Sequence, residues 1–492
     1  MRWGSSKLWL LPVLEILFAG GMVALAADIG GKRLGSWRAY VSGGVAIASI
    51  VISLILVLAE YGSIPGLTYI TPSTYSASSL YLVDRYTTLV TLAVLVVGLA
   101  VSVFSLRFLS PKEHVGPFFA LLLVLLCSLV GVASAGDFLT LFLFWEGMSV
   151  CAYGLVAFSR SQLSVEAAVK YFLMAGIGSL LALYGIAAIY SVTQSISLAS
   201  VPLLFAPASA FGELGLVFLL VGLGVEAAVV PLHTWHPDVY SAAALPVASV
   251  ISGAVTAVGV FALSKVIQPL FIPAMSIGLT PSSNSLQDLQ YLLVFLAIAT
   301  MLVGNLSALS QSNLRRMLSF SSIAQTGYML AALSTMTVLG VAAVVFTIWN
   351  HALVKSGFFM TLGSKRQEYE DADLERLRGV GKKDKVLGFL YGSSSFAMMG
   401  APPFGMFWSE ILIVQSLLFA PSVMFNWLAL VVVLNIVLSI GYYFRVVNTV
   451  VFGDSSAEAP ATPRSDLVAP TSLLLLSLAT GVAPFLVLVH LF

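Results

Sequence analysis

The sequence predicts an all-α polytopic membrane protein of about fourteen transmembrane helices, each needing ~20 apolar residues. Three observations predict it. Of 492 residues 59% are hydrophobic and only 9% are charged, against about 25% charged in soluble domains. Apolar runs of spanning length follow one another along the whole chain. Ionisable residues lie inside several of those runs, flanked by apolar neighbours on both sides.

Windows of spanning length give helices near 8–28, 40–61, 86–108, 116–136, 138–158, 165–192 and 211–230. A second set follows near 246–270, 287–308, 314–333, 335–362, 385–417, 424–452 and 468–490. The basic start (Arg2, Lys7) runs into an apolar stretch without a small-residue cleavage site, so it reads as a first membrane helix and not as a removed signal peptide. Segment 62–85 is polar and rich in Gly, Pro, Ser and Thr; it reads as an extracytoplasmic loop or a small hairpin. A very short link at Gly136-Asp137 joins the fourth and fifth helices. The strongly charged run 364–385 reads as a solvated loop or a short surface helix.

Helices 7 and 12 carry breakers: Pro231, with Pro237 and Pro246 following, and Gly400-Ala401-Pro402-Pro403. Proline removes a backbone donor and clashes one turn back. At membrane depth the freed carbonyls must be satisfied by protein or water. Breaks at corresponding places, five helices apart, point to two inverted five-helix repeats, a transporter signature. The chain then divides into helices 1–3 (1–115), a first repeat (116–271), a second repeat (285–453) and a last loop and helix (454–492).

Basic residues orient the bundle. Four Lys/Arg (Arg2, Lys7, Arg85, Lys265) share a side with the termini, eighteen lie opposite, and Lys355 is inside a helix. The positive-inside rule puts both termini outside the cytoplasm, in a multi-pass protein of the plasma membrane.

The net charge of +1 makes no case for nucleic acid. No Gly-rich phosphate loop follows a strand pattern. Cys127 and Cys151 sit in apolar runs without metal or iron–sulfur spacing and read as packing residues.

Charges at the bilayer centre cost about 2.5–3.5 kcal/mol on insertion scales and mark functional sites by default. Glu146, Glu226, Glu410 and the pair His351 and Lys355, one turn apart, occupy four helices. Glu15 reads as polar glue between helices. Buried Glu and Lys both shift toward neutral pH and His titrates there, so such groups form a proton path. Ser319, Ser321, Ser322, Thr326 and Tyr328 supply hydroxyls for water in the gaps. His233 and His236 link the row to one surface; as metal ligands they lack a third partner.

Several segments resemble the antiporter-like subunits of respiratory complex I, Mrp-type Na⁺/H⁺ antiporters (D-type subunit) and archaeal membrane-bound hydrogenase-type complexes. Phe142-Leu143-Phe144-Trp145-Glu146 resembles their fifth-helix glutamate motif, and Ala168-Val169-Lys170-Tyr171-Phe172-Leu173 the start of their sixth helix. Pro231-Leu232-His233-Thr234-Trp235 with Pro237-Asp238 is similar to their P-L-H-x-W-x-P-D signature. Asn313 to Ile323 resembles the tenth-helix start, Asn350-His351-Ala352-Leu353-Val354-Lys355 the eleventh-helix N-H-A-x-x-K motif, and Gly400 to Glu410 the broken twelfth helix. The match runs in order from about Asp84 to Glu410.

The resemblance implies proton translocation, coupled to Na⁺ in some members, along a central hydrophilic axis. Glu146 would be the fifth-helix acid, His351 and Lys355 the connecting groups and Glu410 the terminal group, with Glu226 and His233 on the path. Lys170, Asp137, His236 and Ser322 would support it. It implies no redox centre or cofactor in this chain. It implies small Mrp-like subunits, a second antiporter-like copy and a peripheral electron-transferring arm as partners, with iron–sulfur clusters carried by partner subunits. The chain ends soon after the fourteenth helix and so resembles members without a long lateral helix.

Two positions depart from the pattern. Glu226 stands where the family usually has the seventh-helix lysine, and Ala257 where the eighth helix usually has lysine or histidine. A carboxylate pair with Glu146 would repel and share a proton, or hold Na⁺. One reading is therefore a translocating subunit with Glu226 as replacement carrier. Another is a paralogue with an inactive first half-channel and a structural role. A third is a subunit of a free-standing Mrp-type antiporter.

Overall fold

The computed structural model describes residues 9–30, 37–61, 80–109, 115–200, 210–270, 284–363, 372–454, 463–489 and 491. Most of the expected loop 62–85, the start of the charged run 364–385, and Arg2, Lys7, Lys32 and Arg33 lie outside the described residues.

The described chain is helical. In order come α1 (Leu10–Gly30), α2 (Trp37–Tyr61), α3 (Arg85–Phe108), α4 (Val115–Ser134), α5 (Phe138–Val156), α6 (Gln162–Thr193) and α7 (Ala210–Glu226). The short α8 (Trp235–Ala242) leads into α9 (Leu245–Ile267). Then follow α10 (Asn284–Ser310), α11 (Leu314–Ser334), α12 (Val338–Gly363), α13 (Lys385–Met398), α14 (Gly405–Leu418), α15 (Val423–Val451) and α16 (Val468–Val482). Eleven of the described helices are long and apolar enough to cross a membrane, so the chain is a multi-pass membrane protein. The other three expected spans fall on α7, which is short, on α11, which is rich in hydroxyls, and on the separate pair α13 and α14.

The sequence reading carries helix 7 to residue 230, but α7 stops at Glu226. Ala228 takes the left-handed conformation (φ 56°). Its N–H bonds to Val225 O and the next N–H to Gly224 O at 2.9 Å, the pairing that closes a helix C-terminus. The helix expected at 385–417 likewise closes at Met398. Gly400 (φ 70°) bonds to Ala397 O, and Ala401 N–H to Phe396 O. One cap geometry thus ends both helices, each with proline three residues beyond the left-handed residue.

Small residues set the tightest helix contacts. A Cβ on Gly185 would meet Gly215 O at 2.5 Å, and one on Gly222 would meet Gly178 O at 2.5 Å, so α6 and α7 touch backbone to backbone. Such contacts drive helix association where lipid removes the hydrophobic gain. The same closeness brings α6 side chains to the end of α7.

Candidate functional site

Glu226, 1% exposed, is the last residue of α7. Ser149 on α5 donates to its Oε1 at 2.8 Å and Tyr171 on α6 to its Oε2 at 2.6 Å. Tyr171 stacks flat on Trp235, with centroids 4.1 Å apart, and Trp235 Nε1 donates to Val225 O at 2.9 Å. The Glu226 carboxylate therefore has a hydroxyl on each oxygen. Glu146 lies within electrostatic reach of it. Glu146 itself is half-buried on the α5 face that carries exposed Leu143 and Val150, and its buried Oε1 has no partner among the described residues.

Beyond the interruption, His236 is buried on α8. Its Nδ1 lies 2.7 Å from Ser319 Oγ on α11, and its Nε2 3.4 Å from Thr256 Oγ1 on α9. The ring stacks on Tyr240 at 4.0 Å. Thr256, next to Ala257, thus supplies the polar contact of α9 in this region. His233 is half-buried and its Nδ1 lacks a partner among the described residues.

Lys355 is 0% exposed. It donates to Leu318 O at 3.1 Å, to Ser321 Oγ at 2.8 Å and to Tyr443 OH at 3.1 Å. His351, one turn earlier on α12, lies within electrostatic reach of Lys355 and of His236. Both ring nitrogens of His351 lack a partner among the described residues. Asn350 beside it is structural: its Oδ1 accepts from Thr480 at 2.8 Å and its amide donates to Phe346 O.

From Lys355 the polar groups continue through α15. Tyr442 next to Tyr443 donates to Asn305 Oδ1 at 3.1 Å. Asn305 in turn donates to Tyr328 OH at 2.9 Å and to Asn435 Oδ1 at 3.1 Å. Glu410 on α14, 8% exposed, lies within electrostatic reach of Tyr328, Tyr442 and Tyr443. Its carboxylate fills the space beside Gly400 that any larger residue would need.

The structure therefore gathers Glu226 with Glu146, then His236, His351 and Lys355, then Glu410. Ser322 lies on α11, which also carries Ser319 and Ser321, and donates to Leu318 O at 3.2 Å. Asp137 stands apart as the cap of α5, accepting from the Thr140 N–H and hydroxyl, each at 2.8 Å. Lys170 also stands apart at the protein surface, pairing with Glu166 at 2.9 Å and Asp238 at 2.8 Å. Arg316 reaches the other oxygen of Asp238 at 3.1 Å. Burial alone would raise the Asp238 carboxyl, but the hydrogen bonds from Lys170 and Arg316 outweigh it and hold the group below the usual range.

Two basic residues counted as loop charges are buried. Lys265 donates to Ala133 O at 2.6 Å. Arg315 Nε donates to Tyr240 O at 2.9 Å, and the guanidinium also reaches Ala243 O, so it closes the C-terminus of α8. The missed hydrogen-bond relays Asn305, Asn435, Tyr442 and Tyr443 carried one signal, polar residues within apolar runs. Among the described residues no three His, Cys, Asp or Glu side chains gather as a metal site.

Residues 135–439 match the family model NADH:quinone oxidoreductase/Mrp antiporter, TM. NADH-quinone oxidoreductase subunit N of Desulforudis audaxviator (strain MP104C) is 32% identical over 96% of this chain and 88% of the relative. F(420)H(2) dehydrogenase subunit N of Methanosarcina mazei is 28% identical over 90% of this chain and 89% of the relative. Among solved structures, a chain of the membrane-bound sulfane sulfur reductase, an archaeal respiratory membrane complex, matches with TM-score 0.83 and 26% identity. That match covers 98% of this chain and 96% of the other. A chain of respiratory complex I from Thermus thermophilus matches with TM-score 0.78 and 27% identity, covering 97% and 99%. A chain of the Mrp complex from Dietzia sp. DQ12-45-1b shares the fold, with TM-score 0.81 at 20% identity over 97% and 96%. With matches of this extent over buried motifs already on the page, the chain belongs to the NADH:quinone oxidoreductase/Mrp antiporter transmembrane family, as an antiporter-like membrane subunit.

Proposed function

We propose that this chain moves protons across the plasma membrane as one subunit of a redox-driven complex. The observation that carries the reading is the placement of Lys355. It is fully buried and held by two hydroxyls and a carbonyl; His236 and His351 lie within its electrostatic reach, and Tyr443, which it contacts, lies within that of Glu410. A buried ammonium held by neutral groups can release its proton without leaving a carboxylate unpaired, which suits a relay.

In this reading Glu146, Glu226 and His233 feed the path from the first half, and His236 hands over to His351, Lys355 and Glu410. The two hydroxyl donors on Glu226 favour it as a replacement carrier over an inactive first half-channel, because an anion there is already solvated by protein. The matched closures of α7 and α13 support two five-helix repeats, 116–271 and 285–453, related by inversion within a fourteen-helix bundle. Both termini then face outward. Iron–sulfur clusters and the electron-transferring arm belong to partner subunits, beside small membrane subunits and a second antiporter-like copy.

The test uses the complex in sealed vesicles. Lys355→Met and Glu410→Gln should each sharply lower ions moved per electron while uncoupled electron transfer persists. Unchanged stoichiometry in both would overturn the reading, and dependence on sodium in place of protons would reassign the ion.

A further inference from the structure

The outer face of α13 carries a stripe that the buried path does not use. Lys385, Gly388, Phe389, Gly392 and Phe396 follow helical spacing on one side of the helix. Across from them stand Val447, Val451 and Phe452 at the end of α15, and together they line an open groove of about 380 Å³. Gly392 brings no side chain to the groove, and Gly388 lies against the backbone of Gly381, whose Cα its Cβ would meet at 2.5 Å. It stays narrow because a Cβ on Gly381 would already meet Val451 Cα at 2.8 Å.

Charge is uneven around the upper end. Lys382 is paired with Asp454 and Arg378 with Glu375. Asp384 caps α13 and lies 3.6 Å from Arg464. Lys385, exposed at the mouth of the groove, has no carboxylate partner among the described residues. Below it Phe389 is 66% exposed and Phe452 63%, apolar surface that only hydrocarbon solvates well.

The length fits one leaflet. Lys385 to Phe396 spans roughly 16 Å at ~1.5 Å per residue, and half of a hydrocarbon core of ~30 Å is about 15 Å. A basic end at the membrane surface above an apolar trough of one-leaflet depth complements a negatively charged headgroup with its acyl chain. We propose that this groove binds one anionic phospholipid, its phosphate at Lys385 and one chain lying over Gly388 and Gly392 toward Phe396. The site is separate from the buried path, so it does not depend on the function proposed above.

The experiment uses the full-length chain in its purified complex, in phosphatidylcholine nanodiscs. These carry a trace of either phosphatidylglycerol or phosphatidylcholine with a photoreactive diazirine in one acyl chain, and adducts are mapped by peptide mass spectrometry. One lysine near a headgroup gives roughly a fivefold preference, so adducts on 388–396 and 447–452 should favour phosphatidylglycerol by about that factor. Lys385→Gln should bring the ratio to about one while adducts persist. Gly392→Phe should abolish adducts in both segments while labelling of exposed Phe419 and Val423 stays constant, which reports an intact fold. Gly392 suits this test because a Cβ there has its nearest neighbour at 3.8 Å. Equal yields for the two lipids in the unmodified chain, adducts surviving Gly392→Phe, displacement by inorganic phosphate alone, or a partner polypeptide crosslinked in the groove would each overturn the proposal.

Discussion

Tyr171 donates its hydroxyl to Glu226 Oε2 at 2.6 Å, from α6 to the last residue of α7, while its ring lies flat on Trp235. One side chain thus serves both the Glu226 carboxylate and the segment that follows the helix break. Tyr171→Phe keeps the ring and removes only the donor. A hydrogen bond between membrane helices contributes about 0.6–2 kcal/mol, so the thermal midpoint should fall slightly. Ions moved per electron should fall much more if Glu226 carries protons; unchanged coupling would remove Glu226 from the path.

Asn305 joins three elements through Tyr328, Asn435 and Tyr442. Asn305→Leu leaves those buried groups without it. An unsatisfied buried polar group costs about 1–3 kcal/mol, so detergent-solubilised protein should unfold at a clearly lower temperature. A midpoint equal to that of the unmodified chain would mean that the tyrosines find other partners.

Two glycines on or beside α13 should respond in opposite ways. Gly400 has φ 70° and the Glu410 carboxylate beside it. Gly400→Ala should cost about 1–2 kcal/mol from the left-handed conformation alone, and it displaces Glu410 as well. A Cβ on Gly392 makes only ordinary contact with Val451 Cγ2 at 3.8 Å in a helix interior, so Gly392→Ala should be neutral or stabilising by about 0.5–1 kcal/mol. Paired melting curves of the two variants decide it.

Asp238 bridges Lys170 and Arg316 at a partly exposed site. Exposed ion pairs contribute about 0–1 kcal/mol and weaken with salt, so Asp238→Asn should lower stability only a little. The folded carboxyl is held below its ordinary value. Its contribution is therefore full above about pH 4 and is lost as pH falls through the lower folded value. The gap between the two melting temperatures should close in acid and in high salt; a gap that widens in acid would contradict the assignment.

Much of the site was legible in sequence because lipid penalises polarity. Glu146, Glu226, His351, Lys355 and Glu410 stood out against apolar neighbours, and prolines marked where α7 and α13 end. Burial of two basic residues was not legible: Lys265 and Arg315 sit near helix ends by position, and both are buried on backbone carbonyls. Asp137, expected to support the path, caps α5 through Thr140.

The sequence by itself determined the class of molecule and most of its helices, and it singled out the ionisable groups inside apolar runs, since about 20 apolar residues and the cost of buried charge are local properties. It could not decide which way those groups face. A helix that is apolar all round has no polar stripe to orient it, so rotation is set by contacts between helices, such as the glycine crossing of α6 and α7. Only the tertiary structure put Tyr171 and Ser149 on Glu226, Tyr443 and Ser321 on Lys355, and Glu146 toward the outer face. Those pairings join residues far apart in the chain, and helix packing alone brings them within a hydrogen bond's reach.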